Sequence, residues 1–184
     1  MSQALPDPLA RRFAPVVATL AREATIVLTV ALAIAASARI VFPLGFTPVP
    51  VTAQTFVVLL AGTLVGARRA GGGALTYLAL GVAGVPWFAT GGATLGYVAG
   101  FVLAAHVVGR AADAGVLATR RSALAVMAGA HALIYALGAT WLALFLGVGP
   151  VAALTLGVVP FLVGDTLKVV VAAGITPSLV RLRG

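Results

Sequence analysis

Charge in this chain is scarce and confined to a few places, and that placement restricts the folds open to it. Only twelve Lys and Arg and four Asp and Glu occur among 184 residues, while 61% of positions are hydrophobic. Arg11, Arg12 and Arg22 precede the first apolar run, and Arg68 and Arg69 follow the second. Arg110, Arg120 and Arg121 follow the fourth, and Arg181 and Arg183 close the chain. The intervening connections 43–50, 86–95 and 147–150 carry no charge. Short basic loops are retained on the cytoplasmic side of a membrane. The alternation therefore predicts an all-α integral membrane protein with an even number of spans and with both the N- and C-termini cytoplasmic.

Length sets the number of spans. Six transmembrane helices of roughly 17–22 residues with short loops use up the chain, at 24–42, 51–66, 71–83, 95–110, 122–146 and 160–179. Residues 1–23 read as a cytoplasmic N-terminal arm with a surface helix from Leu9 to Arg22, and 24–184 as one six-helix membrane domain. Pro150 and Gly157 predict a broken or re-entrant stretch between the last two spans. A mean hydropathy of +1.14 excludes an ordinary soluble domain. The formal charge of +8 belongs to span ends, where anionic headgroups account for it, so nucleic acid is not an expected partner. The absence of cysteine excludes a thiolate nucleophile, a thiolate metal site and a disulfide.

Two charges defy the pattern. Asp165 and Lys168 lie inside the last apolar stretch, near the uncharged end, three residues apart and so on one helix face. A charge at that depth costs roughly 2.5–3.5 kcal/mol on insertion scales. The pair is either a structural salt bridge or the polar floor of a ligand site entered from outside. Arg39, near the outer end of the first span, either snorkels to headgroups or faces the bundle, where its surplus positive charge favours an anionic solute.

The connection 86–97 sets Trp87, Phe88 and Tyr97 among Thr90, Gly91 and Gly92, and reads as an interfacial aromatic belt or as a lid over a ligand. Gln54, costly in lipid, faces inward toward ligand or another helix. His106 and His131 read as hydrogen-bonded core residues, and Tyr77 and Tyr135 as packing or interhelical hydrogen-bond residues. Ala31 and Ala35 form a small-xxx-small step that could dock a partner helix. No phosphate loop, nucleophile elbow or H-E-x-x-H helix occurs, so no catalytic residue, metal site or cofactor is expected. The residues alone thus lead to a six-span protein with an outward-facing pocket for a small polar or anionic solute.

Several stretches together resemble the BioY family, the biotin-specific S components of energy-coupling-factor (ECF) transporters. These are F-P-L (42–44) with P-V-P-V-T-A-Q-T (48–55), L-L-A-G-T-L-V-G (59–66), Y-L-A-L-G-V-A-G-V-P (77–86), G-Y-V-A-G-F (96–101) and V-V-P-F-L-V-G-D-T-L-K (158–168). One departure stands out: Gly92 to Tyr97 lacks the proline of the family's G-P-T-G-G-Y, and the longer Gly-rich insert that precedes that motif in the family is shortened here. The resemblance implies high-affinity biotin capture and uptake across the bacterial cytoplasmic membrane. It implies partnership with a transmembrane T component and paired ABC ATPases, biotin being bound as transport substrate. It also implies that Asp165 and Lys168 line the biotin site and that Ala31 and Ala35 dock the T component; Gln54, Trp87, Phe88, Thr90, Gly91, Gly92 and Tyr97 are placed around that site by the residue-level reading above. In this reading the valerate carboxylate meets Lys168 and the ureido ring reaches Asp165. The alternatives are an S component for another small vitamin and a non-transport membrane assembly subunit.

Overall fold

The computed structural model describes residues 8–88 and 92–183. They form α1 (Pro8–Ser37), β1 (Val41–Phe42), β2 (Val51–Thr52), α2 (Gln54–Val82), α3 (Leu95–Asp113), α4 (Arg120–Leu146), α5 (Pro150–Gly157) and α6 (Leu162–Arg183). Four segments, Ala14–Ser37, Gly92–Asp113, Arg120–Leu146 and Pro150–Leu182, are long and apolar enough to cross a membrane. Large apolar side chains such as Leu28, Leu144 and Val163 stand exposed on the outside. Such a surface is suited to lipid, and its backbone polar groups are satisfied within the helices.

The first helix runs without interruption from Pro8, so the surface helix expected at 9–22 is continuous with the first span. It stops at Ser37 rather than at residue 42. Val41 and Phe42 instead pair antiparallel with Thr52 and Val51. Local preference favours the exit, because a residue before proline is pushed out of the α region and Ile40 and Val41 are β-branched, and pairing with the strand at 51–52 completes it. The proline-rich stretch 43–50 thereby becomes the loop of a small β-ribbon. Thr47 ties it down by donating its hydroxyl to the Leu156 carbonyl at 2.8 Å.

The helix α2 contains a reversal. Gly66 has φ 80° and ψ 176°, outside helical space and readily reached only by glycine. The Gln54 amide nonetheless donates to the Tyr77 hydroxyl at 2.9 Å. In a straight helix those residues would stand about 35 Å apart, so α2 folds back on itself as two arms, 54–65 and 67–82. These correspond to the second and third expected spans. The break frees the Ala67 N–H, which the Asp113 carboxylate accepts at 3.0 Å. Beside it Arg69 donates to Glu23 at 2.8 Å, joining α2 to α1 at the basic end.

Small residues let the helices approach. Gly138 of α4 lies so close to the Tyr97 ring of α3 that an added Cβ would collide with it, as expected where van der Waals packing drives helix association. α4 ends on Gly147 in the left-handed region, φ 65°, a common helix stop. Where the sequence suggested a broken stretch, α5 forms one short helix with Pro150 in its first turn. A single 3-10 turn, Val159–Phe161, then leads into α6.

Candidate ligand-binding site

A cavity of about 310 Å³ opens at the end of the bundle away from the arginine clusters. The β-ribbon supplies one wall with Pro48, Val49 and Val51. α3 and α4 supply apolar surface through Val98, Phe101 and Ile134. Polar groups converge on the floor: Gln54, Tyr77 and Asp165 are all buried, at 8%, 1% and 6% exposure. A cavity of this kind, mostly apolar with a few fixed polar groups, is the usual form of a small-molecule site.

Asp165 organises that floor. It lies in the first turn of α6, where the helix dipole favours an anion. Its Oδ1 accepts from Lys168 Nζ at 2.6 Å and faces the Thr55 hydroxyl at 3.5 Å. Its Oδ2 accepts from the Tyr135 hydroxyl at 2.8 Å and contacts His131 Nε2 at 3.1 Å. A carboxylate only accepts, so His131 donates through an Nε2 proton. Lys168 also donates to the Thr52 carbonyl at 2.7 Å, tying α6 to β2. A buried ion pair is tolerable only when hydrogen bonds satisfy its remaining atoms, and four partners do so here.

Of the residues expected at the site, Asp165, Lys168, Gln54 and Tyr97 line the cavity. Gln54 donates to Tyr77 and accepts from the Thr52 hydroxyl at 3.1 Å. Tyr97 is pinned by donating to the Gly157 carbonyl at 2.8 Å. Phe88 is buried behind the wall, its ring 5.8 Å from that of Tyr77. Trp87 is 62% exposed and carries the Arg39 guanidinium 4.9 Å above its ring. The Gly92 carbonyl accepts from Trp141 Nε1 at 2.6 Å, which makes it a link to α4. Thr90 and Gly91 lie outside the described residues. Ala31 and Ala35, expected on a partner-facing surface, are 0% and 1% exposed. Their small side chains are spent on packing inside this chain, because α1 turns that stripe inward.

Two residues escaped sequence reasoning as site residues. His131, read as a hydrogen-bonded core residue, and Tyr135, read as a packing or interhelical hydrogen-bond residue, both reach Asp165, with their rings edge-on at 4.6 Å. The overlooked signal is their spacing: two polar residues at i, i+4 share one face of an otherwise apolar helix. The other histidine, His106, is exposed on α3 rather than in the core.

Comparison with known proteins agrees with this architecture. Residues 8–184 match the BioY family. The biotin transporter BioY of Thermotoga maritima is 37% identical over 161 residues, 81% of this chain and 90% of that protein. The biotin transporter BioY of Rhizobium etli is 36% identical over 145 residues, 71% of this chain and 77% of that protein. The crystal structure of the S-component for biotin from an ECF-type ABC transporter superposes with a TM-score of 0.76 at 21% identity. That superposition covers 90% of this chain and 94% of the other, and establishes a shared fold. A family match across nearly the whole chain, an S-component fold and relatives aligned over most of their own length lead to one assignment: the chain belongs to the BioY family.

Proposed function

We propose that this chain is the biotin-capturing S component of an ECF-type transporter, working by binding and transport rather than by catalysis. The observation that carries the reading is the Asp165–Lys168 pair fixed on the floor of an otherwise apolar cavity, in a chain whose relatives are biotin transporters. The four long apolar segments and the two arms of α2 make six spans. Both termini then lie with the arginines on the cytoplasmic side of the cytoplasmic membrane. The T component and paired ABC ATPases supply the energy.

The two polar ends of biotin cannot both meet this pair. The carboxylate and the ureido ring are at opposite ends of the molecule, whereas Lys168 Nζ and Asp165 Oδ1 are 2.6 Å apart. The pair presents a donor beside an acceptor and is already internally neutralised. A ureido ring presents a carbonyl beside an N–H and carries no charge. The ureido end therefore belongs on Asp165 and Lys168, in place of the carboxylate that the sequence reading gave to Lys168. The thioether ring and alkyl chain then lie against Val98, Phe101 and Ile134. A site built to hydrogen-bond such a group rejects analogues that lack it.

Binding of radiolabelled biotin to the purified, detergent-solubilised chain tests the reading. Biotin and desthiobiotin, which keep the ureido ring, should compete. Lipoate, with a similar acid tail and no ureido ring, should not. Asp165→Asn should abolish binding while remaining monodisperse. A folded wild-type chain that binds no biotin would sink the proposal.

A further inference from the structure

With the ureido end on Asp165 and Lys168, the carboxylate at the far end of the ligand needs a partner away from this pair. The Lys168 ammonium is held at the floor by Asp165 at 2.6 Å and the Thr52 carbonyl at 2.7 Å, and its long contact with the Thr55 hydroxyl at 3.5 Å is the one a ureido carbonyl displaces. Among the described residues, one other cation lies at this end of the bundle. Arg39 sits in the turn between Ala38 and Val41, both of which line the cavity. Val41, at 46% exposure, marks the rim, while Asp165 marks the floor.

The turn holds Arg39 in place, because the Ala38 N–H donates to Ile34 and the Arg39 N–H to Ala36, each at 3.1 Å. The guanidinium rests 4.9 Å over the Trp87 ring. Trp87 is anchored in turn through its neighbour Phe88, which packs on the cavity residue Tyr77. A guanidinium carries an edge of N–H donors that matches a carboxylate two bonds at a time. Rather than extending freely toward headgroups, the Arg39 side chain lies over the Trp87 ring, on a turn whose residues Ala38 and Val41 line the cavity.

We propose that Arg39, held on Trp87 at the rim, receives the carboxylate of the ligand whose ureido end sits on Asp165 and Lys168. The inference rests on the biotin reading above and adds to it the residue that discriminates the free acid from neutral derivatives. Trp87 acts as a positioning residue: it fixes the guanidinium and does not touch the ligand.

The test compares biotin with biotinamide, which keeps the ring and lacks the charge, on wild type, Arg39→Gln, Arg39→Lys and Trp87→Leu. Arg39→Gln should weaken biotin by about tenfold or more, the equivalent of ~1.4 kcal/mol, and leave biotinamide within about twofold, inside the few tenths of a kcal/mol of a neutral surface change. Arg39→Lys should recover part of the loss, since a point charge lacks the fork. Trp87→Leu should fall between wild type and Arg39→Gln for biotin alone. Added salt should weaken biotin on wild type and not on Arg39→Gln, because an exposed ion pair is screened. Unchanged biotin affinity in Arg39→Gln, or equal loss of both ligands, would overturn the proposal. Failure of wild type to bind either ligand would instead sink the biotin reading itself.

Discussion

Replacing Lys168 by Met removes the cation nearest to Asp165 and leaves that carboxylate in a bundle interior where its side chain is only 9% exposed. Breaking a buried pair from one side costs about 3–5 kcal/mol, mostly through the charge left behind. Asp165 keeps its donors on Oδ2, Tyr135 and His131, so the lower end, about 3 kcal/mol, applies. The converse change, Asp165→Asn, strands Lys168. That side chain is 20% exposed and keeps the Thr52 carbonyl, so the cost should be about 1 kcal/mol. The double variant leaves no unpaired charge and should fall short of Lys168→Met alone. For a chain of 184 residues, each kcal/mol moves Tm by about 2–4 °C. Thermal unfolding in detergent, followed by tryptophan fluorescence, should therefore show Lys168→Met lower by about 6–12 °C and Asp165→Asn by about 2–4 °C. The double variant should lie above Lys168→Met. Biotin binding should be lost in all three, so that in the double variant stability returns without function. If Asp165→Asn costs as much as Lys168→Met, or the double variant unfolds below both, charge balance at this floor has been misjudged.

Two further outcomes follow from single contacts. Tyr135→Phe deletes a charge-assisted hydrogen bond of about 1.5–3 kcal/mol to Asp165 Oδ2; biotin affinity in a binding titration should fall by about tenfold or more, with the monodisperse elution of wild type retained. Gly138→Ala drives a methyl into the Tyr97 ring, whereas Gly129→Ala on the same helix meets nothing within 4 Å. The first should lose about 1–3 kcal/mol and weaken biotin through displaced Tyr97; the second should unfold at or above the wild-type temperature. Equal Tm values for the two would mean that the α3–α4 approach is not tight.

Asp165 and Lys168 were legible in the sequence because their anomaly is local: two charges three apart in an apolar run share a face in any helix. The start of α3 at Leu95 and the end of α4 at Leu146 were legible for the same reason, set by signals that act on their own backbone, whereas α3 and α6 run on to Asp113 and Arg183 past the expected ends at 110 and 179. α1 broke that rule at its C-terminal end, where Phe42 before proline and the β-branched Ile40 and Val41 left the helix for a ribbon. That departure depends on a partner strand ten residues on, which hydropathy does not register.

The rest of the site needed tertiary structure. His131 looked solitary because its carboxylate, Asp165, is 34 positions away, and Gln54 meets Tyr77 only because Gly66 reverses α2. Ala31 and Ala35 were visible as a small-residue step, but spacing does not tell which side of a helix faces its own bundle. Arg39 was equally readable as a lipid-facing arginine until the fold laid it across Trp87. Charge placement and residue cost in lipid, which are properties of single positions and short spacings, determined the membrane class, the basic and uncharged ends and the central ion pair. Which distant groups close around that pair, and at what distance, was decided only by packing, since hydrogen bonds and ring contacts join side chains that the chain itself keeps apart.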